Sequence, residues 1–319
     1  MIITVTLNAA IDKSLSVPSF RLGRRHRTVE RRALAGGKGV NVARMLKTLG
    51  APVIATGFQG GPTGTQIVAQ LGEESILHDF VRIREESRTN TSVLDPTTGE
   101  QTEINEQGPR VEPDEIEQFR EKLLYLARGA AIVVFAGSLP RGLEPDFYAQ
   151  LVREMHKLDV MTVVDTDGEA LRNAVRAEPD VVSPNVVEAE ELVGHEFNDD
   201  DDRAGAVREI VSLGARSAIM TMPDGCLAQV LVDGAPRVYR VTVPEQASVA
   251  TVGSGDAFLA GFVAAHYRGS PAAECLRFGV ACGAESTGRL GAGLIDVHEV
   301  DRLLGEVAAS EVVAPAGVG

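Results

Sequence analysis

From Pro113 onward the chain alternates between short β-branched segments and longer segments whose apolar residues recur with helical spacing. This alternation predicts buried strands separated by helices that pack on them. The predicted strands lie at 131–136, 160–165, 180–183 and 217–221, and the predicted helices at 113–128, 145–158, from Gly168, and at 203–213. Helices of this length between strands indicate a parallel sheet with right-handed crossovers, and therefore an α/β fold.

The rest of the chain extends the same core. The remaining predicted elements are strands at 2–7 and 53–58, a hairpin of 226–232 and 236–243 around Asp233-Gly234, and helices near 254–268, 271–288 and 297–307. With 319 residues, 44% of them hydrophobic, the chain can bury a large core.

Two segments, residues 13–34 and 88–106, interrupt the α/β pattern with short strand-like runs. Two such excursions from one core are expected to pair into one small sheet. We therefore predict an α/β core of residues 1–12, 35–87 and 107–319, and a β lid of residues 13–34 and 88–106. On this division Asp12 sits at the end of a core strand, where α/β folds place ligand groups.

A glycine pair opens an apolar helix within residues 249–262, where the chain reads Gly253, Ser254, Gly255, Asp256. Glycines let the backbone pass close to a ligand. The first amides of a helix have no internal partner and attract anions. Asp256 would repel a phosphate held there, which makes sense if Asp256 is a base facing a substrate hydroxyl. The alternative is an ordinary helix start with an acidic first turn.

A second glycine run, Gly36-Gly37-Lys38-Gly39, opens another apolar helix. Together the two runs resemble the signatures of the PfkB family of sugar kinases. The opening Thr6–Asp12 (TLNAAID) is most similar to the branch that holds 1-phosphofructokinase, tagatose-6-phosphate kinase and the PfkB-type 6-phosphofructokinase. This resemblance implies a ribokinase-like, three-layer α/β/α fold with a mostly parallel central sheet and a small β-sheet lid.

The resemblance also implies phosphoryl transfer from ATP, with Mg²⁺ on the nucleotide. Asp256 would take the proton from a sugar hydroxyl, and the amides of Gly253, Ser254 and Gly255 would form the anion hole. The chain has no GxxxxGK[ST] loop and no HRD or DFG signature, so those kinase designs are excluded.

Asn185-Val186-Val187-Glu188 matches the family element that organises Mg²⁺, with Glu188 acting through water and Asp165 a lesser candidate for the same acidic patch. One such carboxylate suffices because Mg²⁺ keeps most of its waters. Asn185 could instead simply cap a helix. By resemblance the nucleotide-binding positions are Asn185, Thr221, Gly225, Gly253 and Gly255.

The family's substrate positions are matched by a carboxylate, amides and cations that suit a phosphorylated sugar: Asp12, Gly36, Gly37, Lys38, Asn41, Arg88, Asn90 and Ser138. Lys38 and Arg88 would bind a phosphate already on the sugar. Arg24 and His26 align loosely with basic lid positions. The resemblance implies a phosphorylated ketohexose as substrate, with fructose 1-phosphate first and tagatose 6-phosphate or fructose 6-phosphate next.

Two departures from the family pattern keep other functions open. Ser183 stands where the family commonly has lysine, and Pro223 restricts the backbone where it commonly has a glycine-containing turn. One alternative is a non-catalytic sugar-phosphate-binding regulatory protein. The other is a kinase of an unphosphorylated sugar or nucleoside, which Lys38 and the lid arginines disfavour.

The formal charge of −14 argues against nucleic acid or an anionic membrane as partner. No apolar run is long enough to span a bilayer, and the first residues lack a basic leader. Three cysteines without metal spacing indicate reduced thiols and a cytoplasmic protein. In the resembled family the lid is often a dimer contact, so we expect a homodimer through it.

Overall fold

The computed structural model describes residues 1–244, 252–289 and 291–312. Its helices are α1 (Lys38–Thr48), α2 (Gly61–Glu73), α3 (Pro113–Ala127), α4 (Phe147–His156), α5 (Gly168–Val175), α6 (Val186–Val193), α7 (Asp200–Ser212), α8 (Ser254–Tyr267), α9 (Ala272–Ser286) and α10 (Val297–Leu304). Its strands are β1 (Ile2–Thr6), β2 (Ala10–Ser16), β3 (Glu30–Gly36), β4 (Val53–Gly60), β5 (Leu77–Ile83), β6 (Arg88–Leu94), β7 (Gln101–Asn105), β8 (Ile132–Ala136), β9 (Met161–Asp165), β10 (Val181–Val182), β11 (Ala218–Met222), β12 (Gly225–Val232), β13 (Ala235–Thr242) and β14 (Ala308–Glu311).

The larger of two sheets has the order β14-β13-β12-β11-β10-β9-β8-β1-β4-β5 among the described strands. All pairs from β5 through β1 to β11 are parallel, and β12, β13 and β14 add antiparallel pairs at one edge. The mostly parallel sheet predicted from the βα alternation is confirmed. Because parallel strands end on one side, the loops after β1, β8, β9 and β10 gather at one edge.

The hydrophobic core lies on both faces of this sheet. Ile2 belongs to the cluster that packs under α1, α2, α8, α9 and α10, and its neighbour Ile3 belongs to the cluster under α3 to α7. Both side chains are fully buried. Strand side chains alternate between faces, so a strand apolar throughout, such as β1, requires helices on both sides. This is the predicted three-layer arrangement.

The smaller sheet has the order β3-β2-β6-β7 and draws its strands from the two predicted excursions. Its centre is the parallel pair of β2 and β6, with Ala10 opposite Arg88 and Ser16 opposite Leu94. We predicted Asp12 at the end of a core strand, and that position is wrong. Asp12 lies inside β2, opposite Leu34 and Asn90, because the small sheet already begins at Ala10.

Two strands have no counterpart among the predicted elements, β5 and β14, and both are edge strands of the larger sheet. Helix α7 begins three residues earlier than predicted, because Asp199 caps it by accepting a 2.9 Å bond from the Asp202 amide. Residues 249–251 of the predicted glycine stretch and the predicted frayed end at 314–319 lie outside the described residues. Within the described chain, no helix is long and apolar enough to cross a membrane.

Candidate active site

A cavity of about 320 Å³ opens between the small sheet and the carboxyl edge of the large sheet. Nine of the predicted site residues line it: Asp12, Gly37, Lys38, Asn41, Arg88, Asn90, Ser138, Gly253 and Asp256. These residues come from elements far apart in sequence. Helices α1 and α8 each have a glycine N-cap, and the first turns of both contribute residues to the cavity. Helix starts present unpaired amides, so both suit an anionic ligand.

The glycine pair Gly253 and Gly255 shapes the start of α8. Gly253 is the N-cap, with φ of 88°, and a Cβ there would lie 2.7 Å from the Cβ of Ala292. Both the left-handed backbone and the close approach therefore require glycine. The N–H groups of Ser254 and Gly255 belong to the first turn, where a helix offers no carbonyl partner. Asp256 follows in the same turn and is 5% exposed.

Asp256 is buried and has one hydrogen-bond donor beside it. Its Oδ2 accepts a hydrogen bond of 2.9 Å from Nδ2 of Asn41. Burial raises the pKa of Asp256 to about 7, against the opposing effects of Lys38 and Asn41 and with a contribution from the negative charge of Asp165. A base whose pKa lies near neutrality is well matched to taking a proton from a hydroxyl.

The glycine run Gly36-Gly37-Lys38-Gly39 holds Asp12 close to α1. A Cβ on Gly36 would lie 1.9 Å from Oδ2 of Asp12, so only glycine fits at the end of β3. Gly37, with φ of 96°, donates its N–H to the same oxygen over 3.4 Å. The other carboxylate oxygen accepts a 2.9 Å bond from Asn90 Nδ2. Asp12 is thereby fixed between two strands of the small sheet and the start of α1.

Lys38 joins the cavity to the acidic patch predicted for Mg²⁺. Its Nζ donates to Asp165 Oδ1 over 2.7 Å and lies 3.9 Å from Glu188 Oε1. Burial alone would lower the pKa of Lys38, but the negative charges of Asp165, Glu188 and Asp256 hold it above its ordinary value. Lys38 therefore stays charged. Its direct partners are protein carboxylates, whereas the sequence suggested a sugar phosphate.

Both carboxylate oxygens of Glu188 have a neighbour within the protein. Its Oε2 accepts the Asn185 amide and the Asn185 side chain accepts the Glu188 amide, each over 2.9 Å, forming a capping box at the start of α6. Asn185 therefore caps α6, which was the alternative interpretation of the motif Asn185–Glu188. Burial raises the pKa of Glu188, and Lys38 opposes that rise. Oε1 faces Lys38, and carboxylate oxygens are the donors that suit Mg²⁺ and its waters.

Arg88 and Ser138 are connected through Asn8, a residue that the sequence prediction missed. Arg88 Nε donates to the Asn8 carbonyl over 3.1 Å, and Nη1 donates to the Glu106 carbonyl over 3.0 Å. Asn8 Nδ2 donates to Ser138 Oγ over 3.2 Å. Burial lowers the pKa of Arg88 from its ordinary, very high value. Arg88 thus presents a fixed guanidinium to the cavity.

The chain is similar to known proteins over nearly its whole length. The family model described as pfkB family carbohydrate kinase matches residues 5–298. The chain belongs to the pfkB family of carbohydrate kinases. It is 32% identical to a 1-phosphofructokinase of Borreliella burgdorferi, over 98% of this chain and 99% of that protein. It is also 32% identical to a tagatose-6-phosphate kinase of Staphylococcus epidermidis, over 98% of this chain and 100% of that one.

Solved structures of related proteins have the same fold. Phosphofructokinase-2 from Escherichia coli, solved with substrates and products, matches with a TM-score of 0.87 at 30% identity, over 95% of this chain and 98% of that one. A ribokinase from Arabidopsis thaliana matches with a TM-score of 0.72 at 22% identity, over 95% of this chain and 98% of that one, which is a likeness of fold. The predicted family, ribokinase-like fold and kinase class are confirmed.

Among the predicted nucleotide positions of this pfkB-family chain, Gly253 belongs to the described lining of the cavity and Gly255 does not. Asn185, Thr221 and Gly225 are absent from its described lining. Asn185 and Thr221 form an isolated bridge between neighbouring strand ends. Gly225 has a structural reason to be glycine, since φ is 141° and a Cβ would lie 1.9 Å from the Val241 carbonyl oxygen. Arg24 and His26 lie in the β2–β3 loop and are likewise absent from that lining.

The small sheet presents a polar face to the cavity that the sequence prediction did not identify. Polar residues of three of its strands line the cavity, namely Asp12, Lys13 and Ser14 of β2, Asn90, Thr91 and Ser92 of β6, and Gln101, Glu103 and Asn105 of β7. Every residue of the runs 12–14 and 90–92 is polar, so the sequence has no alternation there that would distinguish the two faces of the sheet. In the described part of this pfkB-family chain, no group of three or more His, Cys, Asp or Glu residues is arranged to hold a metal directly.

Proposed function

We propose that this pfkB-family kinase transfers the γ-phosphoryl group of ATP to a hydroxyl of a phosphorylated ketohexose. Fructose 1-phosphate is the first candidate, with tagatose 6-phosphate and fructose 6-phosphate next. The observation that carries the proposal is that Asp256, a buried carboxylate at a glycine-led helix start, shares one cavity with the fixed guanidinium of Arg88. The names of the Borreliella and Staphylococcus relatives support the substrate class.

In this proposal the chain supplies a base and an anion site at the reacting end. Asp256 takes the proton of the attacking hydroxyl, and its position in the first turn of α8 puts it beside the amides of Gly253, Ser254 and Gly255. Those amides stabilise the charge on the transferring group. Because the helix begins there, their donors are preorganised and need no rearrangement during the reaction.

At the other end the chain binds and orients the sugar. Arg88 and Ser138 hold the phosphate that does not react, and Asp12 with Asn90 accepts and donates to sugar hydroxyls. That remote binding energy helps to place the reacting hydroxyl against Asp256. Because Lys38 is paired with Asp165, we assign the charged contact with the sugar phosphate to Arg88 and not to Lys38.

Mg²⁺ fits the acidic patch formed by the carboxylates of Asp165 and Glu188. Glu188 and Asp165 would hold its water shell, and the ion offsets negative charge on the ATP phosphates when bound. Lys38 lies between these carboxylates and Asp256, so it balances part of their charge.

We further propose a cytoplasmic homodimer that forms through the small sheet. Val29 and Ile104, on or beside its edge strands, are 69% and 62% exposed, and the E. coli relative has a tetrameric form. The three cysteines are buried free thiols, which suits a reducing compartment. Light scattering should report a dimer that Val29→Asp weakens and Tyr125→Asp, at an exposed site on α3, leaves intact. A monomer at all concentrations would contradict the dimer.

An assay of ADP release tests the function. Purified protein with ATP and Mg²⁺ is offered fructose 1-phosphate, tagatose 6-phosphate, fructose 6-phosphate and the parent sugars. We expect the highest kcat/KM with a sugar phosphate. Binding of sugar phosphates without turnover would instead support the regulatory protein. Faster turnover of a parent sugar such as fructose would support a kinase of an unphosphorylated sugar.

A further inference from the structure

A buried chain of polar side chains runs from Asp256 away from the cavity, through Asn41 and Arg44 of α1 to Glu74. Arg44 is 6% exposed. Its Nε and Nη2 donate to Glu74 over 2.5 and 3.1 Å, and Nη2 also donates to the Ala35 carbonyl over 2.7 Å. Its Nη1 donates to Asn41 Oδ1 over 3.5 Å. All three nitrogens of the guanidinium are therefore engaged.

The contact between Arg44 and Asn41 decides which way the Asn41 amide faces. The oxygen of an amide only accepts hydrogen bonds, and the nitrogen only donates them. With Oδ1 toward Arg44, Nδ2 faces Asp256 and donates to Oδ2 over 2.9 Å. The reversed amide would set its oxygen against a carboxylate and its N–H₂ against a guanidinium, which is unfavourable at both ends. Arg44 thus selects the orientation that supports an ionised Asp256.

We propose that Arg44 is a positioning residue for the base of this kinase. By holding the Asn41 carbonyl, it keeps the Asn41 amide donating to one oxygen of Asp256 and leaves the other oxygen for the substrate hydroxyl. The inference rests on the proposed function for the identity of the base. It adds a residue that lies outside the cavity lining and acts on the base through another side chain.

The packing around the contact leaves little room for a substitute donor. Gly293 lies against it, and a Cβ there would come within 2.7 Å of Arg44 Nη1 and 3.0 Å of Asn41 Oδ1. Arg44 is itself held by the Glu74 carboxylate, since a buried cation is tolerated when it is paired and hydrogen-bonded. At the far end Glu74 is 29% exposed, so it can be altered with less disturbance of the core.

Loss of Arg44 should change the proton affinity of Asp256. The charged groups that act on Asp256 are Lys38 of α1, Asp165 of β9 and Asp12 of β2. Among the described residues, no hydrogen bond or ion pair joins any of these three to Arg44. Without Arg44 the Asn41 amide is free to turn, and the hydrogen bond that favours the ionised carboxylate is lost part of the time. Asp256 then stays protonated to higher pH.

The test compares Arg44→Met with Lys47→Met. Lys47 lies one turn along α1, is exposed, and holds the same segment through the carbonyls of Glu74 and Ser75, over 2.9 and 2.6 Å. It is therefore a matched control without a link to Asn41. In profiles of kcat/KM against pH, Arg44→Met should move the acid limb up by about one pH unit, a tenfold change in proton affinity. Lys47→Met should leave the limb in place.

A second measurement needs no activity. The side-chain N–H₂ resonance of Asn41, assigned by its loss in Asn41→Ser, reports ionisation of Asp256 in a pH titration. Its midpoint should rise in Arg44→Met by the same amount. A lower kcat at every pH with an unmoved limb and midpoint would overturn the proposal, because a purely structural role predicts that result.

Glu74→Gln covers the case in which Arg44→Met does not fold. It should move the limb and the midpoint in the same direction by a smaller amount, and an unmoved midpoint would again overturn the proposal. If wild type shows no turnover with any sugar phosphate, the proposed function fails while the Asn41 titration still decides the role of Arg44.

Discussion

Lys38 Nζ donates a 2.7 Å hydrogen bond to Asp165 Oδ1, which ties the first turn of α1 to the carboxyl end of β9. The two cations predicted to share the sugar phosphate are therefore differently placed. Arg88 is held by the uncharged carbonyls of Asn8 and Glu106, and the carboxylates of Asp12 and Glu106 act on it through their charge alone. Lys38 already faces carboxylates, so the two side chains should behave differently when they are removed.

Arg88→Ala should lower kcat/KM with fructose 1-phosphate. The fall should correspond to a loss of about 2–5 kcal/mol in transition-state stabilisation, the usual cost of removing one partner of a desolvated charge pair. With fructose itself, which lacks the phosphate, the loss should nearly vanish. Arg110→Ala, at an arginine whose side chain is 60% exposed, is the control and should change neither value. Equal losses on both sugars would show that Arg88 does not bind the phosphate.

Lys38→Met should lower kcat/KM by similar factors with fructose and fructose 1-phosphate. The reason is that it leaves Asp165 and Glu188 without their cation, whichever sugar is bound. The same substrate series measures it. A loss confined to the sugar phosphate would restore Lys38 to the phosphate-binding role that the sequence suggested.

Asp256→Asn should keep the size of the side chain and lose the base. We expect kcat to fall by roughly 10²–10⁴, the usual range for general base catalysis, with KM for the sugar little changed. Steady-state kinetics measure both. Asp201→Asn, on the exposed first turn of α7, serves as the control. Turnover like wild type in Asp256→Asn would remove Asp256 from the mechanism.

The same substitution should stabilise the fold at neutral pH. Burial raises the pKa of Asp256 from 3.8 to about 7, so between these values the native state binds more protons than the unfolded state. Stability contributed by this group therefore falls as pH rises through that window. Asp256→Asn cannot ionise, and its Tm should exceed that of wild type at pH 8 by more than at pH 5. A constant difference would contradict the raised pKa.

Glu188 can be divided into its two roles by two substitutions. Glu188→Gln keeps an oxygen for the Asn185 amide, whereas Glu188→Ala loses both the cap and the charge. Both should raise the Mg²⁺ concentration needed for half-maximal rate. Only Glu188→Ala should also lower the free energy of unfolding, by about 1 kcal/mol. An unchanged Mg²⁺ dependence in both would leave Asn185 and Glu188 as helix-capping residues alone.

The sequence predicted the fold well where one side chain after another is buried. Strands such as β1 and β8 are apolar throughout, and their periodicity is decisive. β5 was not predicted because three of its seven residues are exposed at an edge of the sheet, with Leu77 itself 67% exposed. β14 carries the sequence AASE and is exposed along its length, so only its pairing with β13 makes it a strand.

The sequence motifs identified nine residues that line the cavity, but not the hydrogen bonds between them. Motifs pointed to Asn41 and Asp256 separately, as a sugar ligand and a base. Their 2.9 Å hydrogen bond joins positions 215 apart in sequence, a separation that no local pattern encodes. Asn8 and Arg44 were missed for the same reason, because each acts through a contact made only when distant elements pack.

The parallel pairing at the centre of the small sheet has a consequence for recombining this chain with its relatives. β2 and β6 come from two separate segments, yet their register runs unbroken from Ala10 opposite Arg88 to Ser16 opposite Leu94. A chimera that takes only one segment from a donor must match that register, the Asp12–Asn90 bond and the glycine that faces Asp12. Donor sequence is therefore best exchanged as two blocks together, with crossovers placed in β1 and α1 for the first block and in β5 and α3 for the second.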